Sequence, residues 1–215
     1  MNHASRPRQI VRYRAPTRIN HWLVAICFVL TALSGLALFH PALFPLTQLF
    51  GGGPWTRILH PFTGLAMVVG FALLAVKMWR DNLPTANDIA WMRDMREVLL
   101  NEDEKLPPVG RFNAGQKMLF WAIIGCLTAL LLTGFVIWRQ YFSHLFPIGV
   151  IRFSMLAHAL FGWALICAIV VHIYAAIWIK GSVQAMTEGK VSYGWAFKHH
   201  RQWFREVLRR RREQG

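Results

Sequence analysis

Four long apolar blocks dominate the chain, and polar and charged residues return in short bursts between them. The blocks run roughly from His21 to Phe39, from Ile58 to Trp79, from Met118 to Trp138 and from Ser154 to Ile179. Their interiors hold almost no charge. At a rise of ~1.5 Å per residue, each is long enough to cross ~30 Å of hydrocarbon. An isolated strand cannot satisfy its backbone in lipid, so each block predicts a helix. The expected fold is all-α: an integral membrane four-helix bundle. Residues 1–20 read as a basic N-terminus. Residues 21–179 read as the membrane domain, with a segment at 80–117 between helices two and three, and 180–215 as a basic tail.

Charge orients this pattern. Of 24 Lys and Arg, all but Arg57, Arg139 and Arg152 fall in the N-terminus, the 80–117 segment with the adjoining helix end, or the C-terminal tail. Cytoplasmic segments carry the positive excess, which predicts both termini in the cytoplasm of a bacterial inner membrane. The formal charge of +14 could also suggest a nucleic-acid partner. Because the basic residues flank apolar blocks, they serve as topological signals, and no nucleic acid is expected. Arg12, Arg14 and Arg18 leave open a second use, as anchors for cofactor carboxylates. The first block follows a basic stretch but lacks a small-residue cleavage site, which suggests a retained signal anchor.

The cysteines narrow the chemistry. Cys27, Cys126 and Cys167 each lie inside an apolar block, and the chain has no CxxC or CxxCH. A zinc site, an iron–sulfur cluster held by this chain and covalent c-type haem are all disfavoured. Small apolar packing residues are the simpler account.

The histidines carry the functional argument. His21 opens span one at the cytoplasmic side, and His60 lies near the external start of span two. His158 and His172 lie in span four, near its external and cytoplasmic ends. Their separation of 14 residues is within about 40° of whole turns, so both face one side of the helix about 21 Å apart. His60 can meet His158 at one depth and His21 can meet His172 at the other. An imidazole pair across a bundle interior can clamp a haem iron from both faces, so two b-type haems are expected. Gly64 and Gly162 follow their histidines by one turn, where a flat macrocycle needs room, and Gly35 opens a gap in span one. A lone membrane histidine is more often a packing or relay residue. Two depth-matched pairs change that balance. A haem-free transporter is the competing reading, but all ten acidic residues lie outside the spans. His3, His40, His144, His199 and His200 fall in tails and loops and are not expected to bind haem.

The stretch from Arg111 to Lys117 opens span three with amide and backbone donors at the membrane surface. A quinone carbonyl could be bonded there, or the residues could simply cap the helix.

These features resemble the cytochrome b (gamma) subunit of respiratory, membrane-bound formate dehydrogenase. The resemblance runs from about Ile10 to Val207. It rests on Ile10-Val11-Arg12-Tyr13, Asn20-His21-Trp22, Arg57-Ile58-Leu59-His60-Pro61-Phe62, Asn113-Ala114-Gly115-Gln116-Lys117, Val136-Ile137-Trp138-Arg139, His172-Ile173-Tyr174-Ala175-Ala176 and Lys198-His199-His200-Arg201-Gln202-Trp203-Phe204-Arg205-Glu206. It implies a periplasmic haem on His60 and His158 and a cytoplasmic haem on His21 and His172. It also implies a quinone (menaquinone or ubiquinone) site at Asn113, Gly115 and Gln116 beside His172. The implied partners are an iron–sulfur (beta) subunit and a molybdenum- or tungsten-containing catalytic (alpha) subunit, with a higher oligomer of the complex allowed. Formate would be oxidised on the partner chain, and electrons would cross inward to quinone. The basic tail, with His199 and His200, would dock on the iron–sulfur subunit or on anionic membrane lipid. One departure is visible, Arg201 where the family often has Pro. A dihaem subunit of a hydrogenase or thiosulfate reductase, and a superoxide-oxidising cytochrome b, are the alternatives that keep the haems.

Overall fold

The computed structural model describes residues 8–94 and 107–214; His3, Arg6 and residues 95–106 of the central segment lie outside them. Each apolar block is one helix. These are α1 (Ala15–Phe39), α2 (Gly53–Met78), α4 (Ala114–Ile137) and α5 (Ile148–Trp178). A short helix α3 (Ala86–Arg93) precedes α4. Hydropathy places the C-terminal ends to within one residue but starts each helix four to six residues late. The reason is local. A helix closes its first free N–H groups with a turn of polar or proline residues that carries no hydropathy signal. Pro16 and Pro54 sit in the first turns of α1 and α2, where a fixed φ and a missing N–H suit the helix.

The loop after α1 is more ordered than its prolines suggest. Pro41–Phe50 forms a 3₁₀ helix capped by the His40 side chain, which accepts from the Ala42 N–H at 3.2 Å, and Gly51 ends it at φ +85°.

The described residues divide into two compact units. The first comprises Ile19–Val76 and Trp121–Tyr174 and holds most of the four long helices. Cys27, Met67, Leu127 and Leu165, one from each helix, form its buried core. Outward-facing side chains are large and apolar: Val76 is 78% exposed, Phe153 72% and Leu156 71%. A surface of that kind calls for lipid rather than water as its solvent. At 31 residues α5 spans roughly 46 Å, more than the hydrocarbon core alone requires. The chain is a membrane helical bundle.

The second unit gathers the chain ends and the central segment. Residues 1–20 and 180–215, expected to be tails, are folded where described. Strand β1 (Gln9–Val11) pairs antiparallel with β2 (Lys190–Ser192), with Ile10 opposite Val191. Helices α6 (Ser182–Thr187), α7 (Tyr193–His199) and α8 (Arg201–Glu213) complete the unit. Ile10, Ala185, Val191, Ala196 and Trp203 form its core. Gly189, before β2, has φ +82°, and its carbonyl accepts from the Arg12 and Tyr13 amides at 2.8 and 3.1 Å. A Cβ there would run into the Arg18 guanidinium and the Tyr13 carbonyl, so the junction requires glycine.

Candidate haem sites and the terminal layer

Within the bundle the four singled-out histidines come together in two pairs. The rings of His60 (α2) and His158 (α5) have centroids 6.2 Å apart, inclined at 69°. Those of His21 (α1) and His172 (α5) are 6.4 Å apart, inclined at 58°. Two imidazoles on opposite faces of one metal, each with nitrogen about 2.0 Å from it, have centroids roughly 6.2 Å apart. Both separations fit an iron held between the rings. Leu165 lies seven residues from both His158 and His172, about 10.5 Å along α5 in each direction. The buried core of Cys27, Met67, Leu127 and Leu165 therefore forms an apolar layer between the two pairs.

The surroundings of the pairs differ. His60 Nδ1 lies 2.9 Å from Ser34 Oγ, and His158 Nδ1 lies 2.9 Å from Thr133 Oγ1. Neither hydroxyl was legible as a site residue by hydropathy. The available signal is a hydroxyl residue followed by glycine, Ser34-Gly35 on α1 and Thr133-Gly134 on α4. A Cβ at Gly35 would lie 3.1 Å from His60 Cε1, and one at Gly134 3.4 Å from His158 Cε1. Gly35 thus makes room for an imidazole. At Gly64 a Cβ would make ordinary contact with Thr31 at 3.7 Å, and at Gly162 it would meet nothing within 4 Å. In the other pair, His21 Nδ1 is buried and has no hydrogen-bond partner among the described residues, and Trp22 packs edge-on against the ring at 5.5 Å.

Asn113, Gly115 and Gln116 lie in the other unit, at the start of α4. Asn113 Oδ1 accepts from the Gln116 N–H at 2.8 Å, and Gln116 Oε1 accepts from the Asn113 N–H at 3.0 Å. This is a reciprocal N-terminal cap. It engages both side-chain oxygens, while the amide NH₂ groups stand outside it. A Cβ at Gly115 would touch the Trp91 ring at 3.5 Å. Lys117 is largely buried, and its Nζ donates to Asp88 Oδ2 at 2.8 Å and to the Leu83 carbonyl at 3.0 Å. Burial pushes the Asp88 carboxyl up, but the bonds from Lys117 and Thr85 outweigh it and hold the group below its usual value.

The terminal unit contains a buried cation. Arg12 is 3% exposed, and its guanidinium lies 4.4 Å from the Trp203 ring centroid and 5.6 Å from those of Tyr13 and Trp195. Its Nη2 donates to the Arg111 carbonyl and lies 3.4 Å from His200 Nε2. His200 Nδ1 lies 2.9 Å from the Gly110 carbonyl, which fixes the proton on Nδ1 and leaves Nε2 to accept from Arg12. Burial, and then the Arg12 charge, push His200 well below the ordinary imidazole value. His200 is 2% exposed and is a structural residue, not the docking group expected from its place in a basic tail. Arg18 donates to the Glu188 carbonyl at 2.9 Å. Arg12 Nη1, by contrast, is buried with no hydrogen-bond partner among the described residues.

A membrane bundle carrying two internal imidazole pairs, each set at the width of one metal, has the architecture of a membrane cytochrome. Residues 12–189 match the family described as prokaryotic cytochrome b561. The chain is 48% identical, over 94% of both sequences, to "Formate dehydrogenase, nitrate-inducible, cytochrome b556(Fdn) subunit" of Escherichia coli (strain K12). It is 48% identical to that organism's "Formate dehydrogenase, cytochrome b556(fdo) subunit", over 92% of this chain and 93% of the relative. It is 43% identical to "Formate dehydrogenase, cytochrome b556 subunit" of Haemophilus influenzae, over 95% of this chain and 86% of the relative. The chain belongs to the prokaryotic cytochrome b561 family, among its formate dehydrogenase cytochrome b subunits. Haem b is the cofactor that membership implies.

Proposed function

We propose that this chain is the membrane-anchoring, dihaem cytochrome b subunit of a formate dehydrogenase complex. It takes electrons from an iron–sulfur subunit on the periplasmic side and passes them inward to quinone near the cytoplasmic face. The observation that carries this reading is the spacing of the two imidazole pairs, 6.2 and 6.4 Å, in one bundle. The names of the relatives support formate as the electron source. In this reading a molybdenum- or tungsten-containing partner subunit oxidises it.

Bound haem supplies a reversible one-electron couple. The residues of the chain supply the rest. His60 with His158 and His21 with His172 would hold the two irons through ring nitrogens. The layer of Cys27, Met67, Leu127 and Leu165 keeps water out of the space between the pairs. Asn113 and Gln116 offer amide N–H donors to a quinone carbonyl, with Gly115 holding the backbone close to Trp91. The basic segments orient both termini to the cytoplasm, so protons for quinone reduction come from that side.

A reduced-minus-oxidised spectrum with haem quantitation tests the reading. The purified chain is expected to hold two non-covalent b haems, and His60→Ala and His172→Ala are each expected to lose one, a different one in each variant. A wild-type chain without haem sinks the proposal.

A further inference from the structure

Ser34 and Thr133 share an arrangement the proposed function does not use. Each hydroxyl sits on a helix that carries neither histidine of its pair, Ser34 on α1 and Thr133 on α4. Ser34 Oγ donates to the Leu30 carbonyl at 2.8 Å, with the Thr31 carbonyl at 3.1 Å. Thr133 Oγ1 donates to the Ala129 carbonyl at 2.7 Å, with the Leu130 carbonyl at 3.3 Å. A hydroxyl has one proton, and the backbone carbonyls of its own helix are within reach to take it. With Nε2 on an iron, the imidazole proton is on Nδ1, and each hydroxyl oxygen is placed 2.9 Å away to accept it. The following glycine lets the ring approach: Gly35 and Gly134 stand against the Cε1 atoms of His60 and His158.

We infer that Ser34 and Thr133 are positioning residues that orient His60 and His158 and make both rings stronger electron donors toward one iron, lowering the reduction potential of that haem alone. This rests on the dihaem reading above. The physical reason is that an acceptor on Nδ1–H gives the imidazole partial imidazolate character, which favours ferric over ferrous iron. Among the described residues His21 Nδ1 is buried without a partner, so the inner pair lacks this device at that ring. The chain thereby biases its two sites apart, with the hydroxyl-tethered haem the weaker oxidant than it would be untethered.

The test is a potentiometric titration of the full-length chain carrying Ser34→Ala, Thr133→Val, Ser34→Thr or Thr133→Ser. The two haems are assigned from His60→Ala and His172→Ala. Ser34→Ala and Thr133→Val are expected to retain both haems and to raise the potential of the His60/His158 haem. At fixed potential its ferrous-to-ferric ratio should rise on the order of tenfold, about 59 mV for one electron. The other haem should not move, and Ser34→Thr and Thr133→Ser, which keep the hydroxyl, should stay at the wild-type value. If Ser34→Ala or Thr133→Val instead loses the haem, retention in the hydroxyl-keeping variant still supports the tether, and loss in both overturns it. Two haems retained at wild-type potentials, or equal shifts in both, overturn the inference while leaving the dihaem reading intact. A wild-type chain without haem overturns the reading itself.

Discussion

The bundle and the terminal layer both bury histidines, and they treat them in opposite ways. In the layer, His200 has both ring nitrogens engaged, Nδ1 by the Gly110 carbonyl and Nε2 by Arg12, with Trp195 against its face at 5.1 Å. In the bundle, His60 and His158 each have Nδ1 beside a hydroxyl, and the two rings meet edge to face with centroids 6.2 Å apart. A buried polar group without a partner costs about 1–3 kcal/mol, so a protein rarely leaves one open without a use for it. The number of engaged ring nitrogens thus separates a histidine that holds the fold from one that is ready for a ligand. Sequence position alone does not make that distinction, since His200 and His172 both lie close to a helix end.

The sharpest way to break this comparison is to crowd the ring on the bundle side. Gly35→Ala puts a methyl 3.1 Å from His60 Cε1, tighter than most real contacts, so the ring must shift out of its place. The expected result is a haem-to-protein ratio falling from two to about one, read by a pyridine haemochrome assay. Gly194→Ala, in the terminal unit, where a Cβ would meet nothing within 4 Å, should leave the ratio unchanged. Equal ratios in the two variants would mean the pair does not need its spacing.

On the other side, Arg12→Met removes the cation that the aromatic rings enclose and leaves His200 Nε2 without a donor. Desolvated cation–π contacts are worth about 2 kcal/mol or more, and a lost buried hydrogen bond adds to that. The expected outcome is faster proteolytic cleavage in residues 180–215 of the detergent-solubilised chain. Arg12→Lys should restore little of the protection, because an ammonium cannot stack flat between rings while also donating sideways. Full resistance in Arg12→Met would show that the rings alone hold the layer.

The smallest effect is a pH dependence confined to the layer. His200 titrates well below its unfolded value, so the native state excludes a proton that the unfolded state accepts. Stability then rises with pH up to about 6.5 and is lost as pH falls below it. Protease protection of the C-terminal segment should weaken between pH 7.5 and 5.5 in the wild type. In His200→Gln, which cannot titrate, it should change less. A steeper pH dependence in the variant would contradict the assignment.

Much of this was legible in the chain itself. Four spans, their C-terminal ends and the two histidine pairings follow from hydropathy and from the 14-residue spacing on span four. The helix starts were less legible, because first turns such as Ala114–Lys117 are polar and look like loop. The capping alternative at Asn113 is also what the structure displays, through its bonds with Gln116. The hydroxyl tethers were missed, since Ser34 and Thr133 look like any small polar residue in a membrane helix until the neighbouring helix brings an imidazole to them.

What the sequence by itself determined is the membrane class and the placing of the histidines. Both arise from local quantities: apolar length against bilayer thickness, and the turn angle along one helix. Only the tertiary structure decided that the chain ends, 170 and more residues apart, close into a folded layer around Arg12, and that Ser34 and Thr133 reach His60 and His158. Those outcomes depend on which faces of separate elements meet, and contacts between distant segments leave no period or composition in the chain to read.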